Sequence, residues 1–480
     1  MLPVSAITPP RRNDLGDMST DAFERNGDTM MSNALTRRHT LAATGATLLA
    51  AQALAPATRA QATQPPITIV INQSPWFEGF RKTVDLYQQQ TGNKASLDVN
   101  PFAGSLEKQR TAVRSGESPF DILVINAGFF VEMYMGGFLR PLAEIRSGFT
   151  LNPEVYPFDG SLYWDASTKR LGGPGAQLLT VPINPAIPLL HYRTDLYEQK
   201  GLKVPQTWDE LLANAKALHN PPRMYGIVQR GARGAFDVTY DMLPYLWSHG
   251  GGILKDQKAG DFTVVINSSE SLAGLQTFLR LAKEAGYPHT EAETQADVIQ
   301  QMATAHAGHV LVGLAAGVLA DPNQSAVVGK VGFAPAPHAS GYETYSPLGH
   351  WMGGIPKNSK PEQQRAALAF LDWFQGKEAQ IAYARNGSPP VRKDVMESDI
   401  SKEPQLRWMA AMAQALPNAK LTFIIPEASQ ILAITELRLN QAIGGEMSPA
   451  QALNTMATEI AAVMTEAGYK APMLPELKPG

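Results

Sequence analysis

The spacing of apolar residues predicts alternating strands and helices at the start of the apolar-rich part of the chain. Three runs are typical of strands: Ile67–Asn72, the alternating Ala95–Val99, and Phe120–Ile125. Between them apolar side chains recur at helical spacing, and Gly92 and the pair Gly136-Gly137 provide helix ends. This order indicates an α/β domain with a mostly parallel sheet.

Three later helix starts can be predicted from their first residues. Thr207 and Glu210 have the spacing of a capping box, in which a hydroxyl and a carboxylate satisfy backbone N–H groups. Ser359 and Glu362 repeat that spacing, and Ser448 precedes a proline suited to the first helical turn. We therefore expect helices to begin after these three hydroxyl residues.

Proline-rich stretches predict where the chain passes between domains. Pro182, Pro185 and Pro188 punctuate one boundary, and the stretch 333–337 marks a second. A third is expected near Gly376.

An export signal is predicted at residues 35–62. Arg37 and Arg38 precede an almost uncharged segment from Leu41 to Ala57, and Ala60-Gln61-Ala62 is a small-x-small cleavage site. The arginine pair resembles a twin-arginine (Tat) signal, and the apolar run is short for a membrane anchor, which is the alternative reading. Residues 1–34 are expected to be a disordered extension or a misannotated start. The mature chain should then be periplasmic, with no direct membrane insertion.

Charge and cysteine content narrow the function. The chain has 41 basic and 44 acidic residues, a balance that offers nucleic acid no electrostatic footprint. It has no cysteine, which excludes disulfides, thiolate nucleophiles and cysteine-ligated metal centres.

Common catalytic motifs are missing from the sequence. It has no G-x-S-x-G, H-E-x-x-H, Walker A or G-x-G-x-x-G pattern. His306 and His309 would supply only two metal ligands. We therefore predict no catalytic residue, no metal and no cofactor, although the paired carboxylates of a glycosidase are set by the fold and stay open.

Aromatic residues in predicted loops are the main candidates for ligand binding. In an open α/β sheet, ligands bind outside the carboxyl ends of the strands. A flat aromatic face suits the C–H face of a sugar, while core packing is the alternative for each residue. The candidates are Trp76, Phe77, Phe129, Trp164, Trp247 and Trp351.

Four stretches together resemble a known family. Gly201–Leu211 (GLKVPQTWDEL) is similar to a signature of the extracellular solute-binding proteins of family 1, the maltose-binding type. Segments from Phe120 to Leu142, from Gly329 to Pro337 and from Gly354 to Arg392 resemble further motifs of that family in the same order. The resemblance spans about Ile67 to Gly468.

The resemblance implies a type II-like periplasmic binding protein fold, with two α/β lobes joined by a hinge that the chain crosses three times. We expect one lobe to hold residues 63–184 plus 335–376 and the other 185–334 plus 377–475. The resemblance also adds Asn126 and Glu427 to the ligand-binding candidates and supports Trp76 and Trp351. The loop at residues 126–129 has no carboxylate, which disfavours a maltose-like ligand.

We expect a monomeric periplasmic protein that captures a carbohydrate or polyol in its cleft and delivers it to an ABC permease in the inner membrane. The same fold binding glycerol phosphate, a polyamine or an amino-acid conjugate is an alternative, with Arg230 and Arg233 as candidate anion contacts. Two others are a Tat-exported glycan hydrolase and a receptor that presents its ligand to a sensor.

Overall fold

A computed structural model describes residues 63–234 and 237–478. The predicted extension and export signal lie outside these residues. The strands are β1 (Ile67–Asn72), β2 (Ala95–Asn100), β3 (Ile122–Asn126), β4 (Tyr163–Asp165), β5 (Arg170–Leu171), β6 (Gln177–Leu178), β7 (Thr180–Asn184), β8 (Pro188–Arg193), β9 (Leu254–Asp256), β10 (Asp261–Val264), β11 (His309–Gly313), β12 (Val331–Ala334), β13 (Ser346–Pro347), β14 (Trp351–Gly354) and β15 (Ala419–Lys420).

More of the described residues lie in helices than in strands. The α-helices are α1 (Phe77–Thr91), α2 (Phe102–Arg114), α3 (Phe130–Met135), α4 (Leu142–Ile145), α5 (Thr194–Lys200), α6 (Trp208–Leu218), α7 (Asp237–Trp247), α8 (Ser269–Ala285), α9 (Gln295–Ala303), α10 (Ala316–Ala320), α11 (Pro361–Phe374), α12 (Lys377–Arg385), α13 (Lys393–Met396), α14 (Trp408–Ala415), α15 (Ala428–Ile443) and α16 (Pro449–Glu466). Short 3₁₀ turns lie at Phe158–Gly160, Thr290–Ala292, Asp399–Lys402, Pro404–Leu406 and Leu416–Asn418.

The first sheet has five strands in the order β2-β1-β3-β14-β7. Strand β1 is parallel to β2 and β3, whereas β14 is antiparallel to both β3 and β7. Strands β1, β3 and β7 therefore point the same way, and their carboxyl ends lie at one edge. The predicted strand at Ile67–Asn72 is confirmed, and the one predicted at Phe120–Ile125 is shifted by one or two residues.

The first hydrophobic core forms where helices cover this sheet. Helix α1 buries Phe80, Val84 and Tyr87, which recur at helical spacing, and ends at Gly92 in the left-handed conformation with φ 73°. The ring of Tyr87 packs edge-on against Phe370 of α11, with centroids 5.0 Å apart. This core fixes the carboxyl edge of the sheet against α1.

The second sheet is antiparallel, in the order β11-β8-β12, and supports a second core. Helices α6, α7, α8, α15 and α16 build that core, in which Trp208 stacks on Tyr245 with ring centroids 3.9 Å apart. The capping box of Thr207 and Glu210 is confirmed, as is the cap at Ser448.

The predicted cap at Ser359 is wrong. Helix α11 is preceded by Lys360, which makes no side-chain cap, and begins at Pro361. The hydroxyl of Ser359 instead donates to the carbonyl oxygen of Phe120 at 3.3 Å. Packing against β3 therefore replaces the local cap.

The chain passes between the two cores three times. It passes first between β7 and β8, and returns between β12 and β14. After Gly376 it stays with the first core, because Tyr383 of α12 and Trp408 of α14 are buried there. The third passage follows α14, and its strand β15 pairs with β13 of the second passage. Sequence analysis had placed that third passage near Gly376.

Candidate functional site

Three strands of the first sheet that run in the same direction, β1, β3 and β7, end in the same dipeptide, Ile-Asn. Asn72 ends β1, Asn126 ends β3 and Asn184 ends β7. Trp351 begins the antiparallel strand β14 and is paired in register with both Asn126 and Asn184. The sheet therefore presents a row of three amides and one indole at its carboxyl edge, the edge at which ligands bind in open α/β sheets.

Two indole rings meet at this edge and differ in their hydrogen bonding. The ring of Trp76, just before α1, lies edge-on to Trp351, with centroids 5.2 Å apart. The Nε1–H of Trp351 donates to Oδ1 of Asn72 at 2.8 Å. Nε1 of Trp76 is buried and has no hydrogen-bond partner among the described residues. The indole of Trp351 is thus anchored through its polar edge, and that of Trp76 is held by ring packing.

A cavity of about 1320 Å³ opens onto this row. One side consists of the ends of β1, β3 and β7 with Trp76, Phe77 and Phe102. The opposite side comes from the second sheet and its helices, and includes Tyr240 of α7 and Gln295 of α9. Both structural halves of the described chain therefore contribute to one cavity.

The opposite wall contains a buried ion pair. Arg230 is 5% exposed and Asp241 is 2% exposed. Nε of Arg230 donates to Oδ2 of Asp241 at 2.5 Å, Nη2 donates to the other carboxylate oxygen, and Nη1 donates to Oε1 of Gln295 at 3.4 Å. Because the two charges are matched, this ion pair adds little net charge to the cavity wall.

Buried groups behind the cavity hold the edge of the sheet in place. His350, next to Trp351, shares a 2.7 Å hydrogen bond between Nε2 and the hydroxyl of Ser161. Burial lowers the pKa of His350 to about 3, so its ring is neutral at physiological pH. The amide Nδ2 of Asn184 donates to the hydroxyl of Tyr383 at 3.0 Å. Burial likewise raises the pKa of that tyrosine.

Four of the eight predicted site residues lie on the cavity wall: Trp76, Phe77, Asn126 and Trp351. Asn126 accepts a hydrogen bond from the N–H of Gly128 at 2.8 Å through Oδ1. Their role in ligand binding stays a prediction.

The other four predicted residues lie away from this wall. Phe129 packs edge-on against Phe102, and Trp164 of β4 packs beside Tyr134 in the first core. Trp247 ends α7 against the second core. Glu427 precedes α15 beside Tyr469, whose pKa is raised to about 12 by burial and then by that carboxylate.

Sequence reasoning missed several residues of the wall. Asn72, Asn184 and Tyr240 line the cavity but were not among the predicted site residues, and Arg230 was named only as a candidate anion contact of the alternative ligand. The repeated Ile-Asn at three strand ends was the available signal for two of them. The Arg230–Asp241 pair left no comparable signal, because its spacing depends on how α7 folds back.

The described residues contain neither a cluster of metal ligands nor a membrane-spanning helix. Residues 63–234 and 237–478 hold no group of three histidine, aspartate or glutamate side chains placed to bind a metal ion. Within the same ranges, no helix has both the length and the apolar character needed to cross a membrane.

Comparison with known proteins identifies relatives over most of the chain. Residues 46–381 match the family model described as "Bacterial extracellular solute-binding protein". A mannitol-binding protein of Pseudomonas aeruginosa is 24% identical over 76% of this chain and 84% of its own length. The sn-glycerol-3-phosphate-binding periplasmic protein UgpB of Rhizobium meliloti is 30% identical, but over only 27% of this chain and 30% of its own.

A solved structure shares the architecture. Maltose-bound MalE3 of T. maritima superposes with a TM-score of 0.72 and 25% identity, covering 82% of this chain and 98% of that one. The predicted fold class, a type II-like periplasmic binding protein with two α/β lobes, is thereby confirmed. The family model, the fold and a cavity lined from both halves agree, and the chain belongs to the bacterial extracellular solute-binding proteins.

Proposed function

We propose that this protein captures a carbohydrate or polyol in the cavity between its two lobes and delivers it to an ABC importer. The observation that carries the proposal is the row of three asparagines and Trp351 at the carboxyl edge of the first sheet, facing the large cavity. A relative named for mannitol and a similar structure with bound maltose support a ligand of this class.

The wall chemistry matches a polyhydroxylated solute. The faces and edges of Trp76, Trp351 and Phe77 can contact C–H groups. The amides of Asn72, Asn126 and Asn184 can exchange hydrogen bonds with hydroxyls, because an amide both donates and accepts. Binding of this kind orients a neutral ligand and needs no bond to be made or broken.

The lobe boundaries proposed from the packing differ from those predicted chiefly in residues 377–415, which move to the first lobe. We assign residues 63–184 and 351–415 to the first lobe, and residues 188–334 and 421–478 to the second. The ladder of β13 and β15 belongs to the connections between them, together with residues 185–187. A ligand that contacts both lobes selects the closed arrangement by its differential affinity.

An anionic solute is the second candidate. Arg233 lies on the cavity wall with an exposed side chain, and a relative is named for sn-glycerol 3-phosphate. The neutral solute is favoured because Arg230, the buried guanidinium of that wall, is already matched by Asp241.

We also propose that the Tat signal at residues 35–62 directs the protein to the periplasm and is cleaved there. The mature protein is a monomer and delivers its ligand to a permease. The family, whose members are extracellular solute-binding proteins, supports the location, and the arginine pair at residues 37 and 38 supports the Tat signal.

A ligand screen tests the proposal. The purified protein is heated with D-mannitol, ribitol, maltose, sn-glycerol 3-phosphate and spermidine, and hits are titrated by calorimetry. A ligand at a hundredfold excess over its dissociation constant stabilises the fold by about 2.7 kcal/mol, which moves the melting temperature visibly. A hit among the neutral compounds is expected. Binding only of the phosphate would support the second candidate, and hydrolysis of maltose would contradict a binding role.

A further inference from the structure

Three polar side-chain atoms on the cavity wall have no partner among the described residues. They are Oγ of Ser74, Nε1 of Trp76 and Oδ1 of Asn184. Trp76 is 4% exposed and Asn184 is 0% exposed. Buried polar groups without partners are rare in folded proteins, and each costs about 1–3 kcal/mol. Three on one wall therefore point to a missing polar group.

These residues are grouped around one side chain. Trp351 packs edge-on against Trp76, pairs in register with Asn184 and donates to Asn72, two residues before Ser74. We call Ser74, Trp76 and Asn184 the floor of the cavity. It belongs entirely to the first lobe, so it exists before the lobes close.

The floor has the hydrogen-bonding character of a hydroxyl site. The indole of Trp76 can only donate, the free oxygen of Asn184 can only accept, and the Ser74 hydroxyl can do either. A ligand hydroxyl also both donates and accepts. A phosphate or carboxylate oxygen accepts only, and it would be repelled by the carbonyl oxygen of Asn184.

The distribution of charged residues on the cavity wall also supports a hydroxyl site at the floor. Strands β1, β3, β7 and β14 contribute only asparagine and tryptophan side chains and main chain to the wall, and no charged residue. The charged residues of the wall come from the other lobe, as with Arg230 and Arg233, or from helices α1 and α12 of the first lobe, which contribute Glu78, Lys82 and Arg385. A charged end of a ligand would therefore lie away from the strand ends that carry the floor.

We infer that Ser74, Trp76 and Asn184 bind a neutral, hydroxyl-bearing end of the ligand and determine its orientation and specificity. This inference rests on the proposed function, because it assigns one subsite of the same cavity.

The test compares two pairs of variants. Trp76→Phe removes the indole N–H and keeps an aromatic ring. Its control is Trp408→Phe, because Trp408 is equally buried, also has an unpartnered Nε1 and lies away from the cavity. Asn184→Leu removes the free oxygen together with the bond to Tyr383, and Tyr383→Phe removes that bond alone.

Calorimetry measures the affinity for three probes: D-mannitol, 1-deoxy-D-mannitol and D-mannitol 1-phosphate. If the wild type binds only maltose, maltose replaces mannitol. We expect Trp76→Phe and Asn184→Leu each to weaken binding about tenfold, Trp408→Phe to leave it within about twofold, and Tyr383→Phe to weaken it less than Asn184→Leu does. Trp76→Phe should not lower the melting temperature of the ligand-free protein, because it removes an unsatisfied donor. D-mannitol has twofold symmetry, so each modified probe keeps one unmodified end that can occupy the floor. Trp76→Phe should therefore weaken the binding of all three probes by a similar factor.

The outcomes separate the inference from the function on which it rests. If the wild type binds a neutral probe and Trp76→Phe binds it equally well, the floor assignment is overturned and the proposed function stands. Binding of inorganic phosphate to the wild type that Asn184→Leu weakens would also overturn it, because it would place an anion on the floor. If no neutral probe binds the wild type, the proposed function fails and the inference fails with it.

Discussion

Trp351 and Trp76 show how two residues of the same type can have different energetic roles. The indole N–H of Trp351 bonds to Asn72, so its polar edge stabilises the protein itself. The N–H of Trp76 contributes nothing to the ligand-free fold. A residue-by-residue comparison can therefore separate folding from binding.

We expect Trp351→Phe to lower the free energy of unfolding by about 1 kcal/mol, because Oδ1 of Asn72 loses its donor. Trp76→Phe should leave it nearly unchanged. Urea unfolding without ligand measures both. Equal losses in the two variants would contradict the assignment of the Asn72 bond as the cause.

Aromatic candidates could be chosen from the sequence only in part. Trp76 follows a predicted strand end and does line the cavity, whereas Phe129, at a similar position after β3, packs on Phe102. The difference depends on the direction of the side chain at the strand end, which apolar spacing does not encode. Polar strand ends were more informative, since Asn72 and Asn184 follow isoleucine just as Asn126 does.

The buried histidines predict how stability depends on pH. Burial lowers the pKa of His350 to about 3 and that of His191 to about 4. An unfolded histidine has a pKa of about 6.5, so the unfolded chain binds protons first as the pH falls. The stabilisation is complete above pH ~6.5 and is lost progressively toward the folded pKa values.

His350→Gln tests this dependence, because it removes one proton site and keeps a polar group that can face Ser161. Between pH 6 and 4.5 the wild type should lose about 1.4 kcal/mol per pH unit more than the variant. Chemical unfolding across that range gives the two slopes, and titrating carboxylates cancel in their difference. Parallel slopes would mean that His350 is protonated in the folded protein.

Helix starts show what a local motif can and cannot predict. Thr207 and Ser359 have the same spacing to a glutamate, yet only Thr207 caps its helix. The hydroxyl of Ser359 bonds to the carbonyl oxygen of Phe120, just before β3, a residue far away in sequence. Tertiary contact decides between the two uses of a hydroxyl, and a single sequence does not reveal that contact.

Thr207→Ala should destabilise the fold by about 1 kcal/mol, because the N–H of Glu210 loses its acceptor at the start of α6. Ser359→Ala is the matched control. The carbonyl of Phe120 keeps a second donor, the hydroxyl of Ser118 at 2.7 Å, so the control should cost only a few tenths of a kcal/mol. If Ser359→Ala lowered the urea midpoint more than Thr207→Ala, the capping box would contribute less to stability than the Ser359 contact does.

The architecture as a whole was predicted better than its third interlobe passage. Alternating strands and helices with two proline-rich boundaries predicted two of the passages. The third was placed near Gly376, where a helix ends, but α12 continues on the first core because Tyr383 and Ala384 fill space beside α1. A helix end in sequence does not tell whether the next helix packs on the same core or on the other.

The two lobes touch through glycines beside the cavity. A Cβ at Gly387, in the first lobe, would lie 2.6 Å from Cα of Gly317 in α10 of the second lobe. Such a contact is too short for any real side chain, so the backbones can approach this closely only because residue 387 is glycine. We expect this contact to set how far the cleft closes.

Gly387→Ala should therefore hold the cleft open, weaken binding of the screened ligand by about tenfold and increase the radius of gyration of the ligand-bound protein. Two controls separate closure from backbone strain. The first control, Gly137→Ala, shares the positive φ (61° against 82°) but has no atom within 4 Å of the added Cβ. The second control, Gly317→Ala, adds a Cβ whose nearest contact would be at 3.7 Å. Calorimetry and small-angle scattering compare the three variants. If Gly137→Ala weakens binding as much as Gly387→Ala, strain and not steric blocking explains the loss, and the glycine contact does not limit closure.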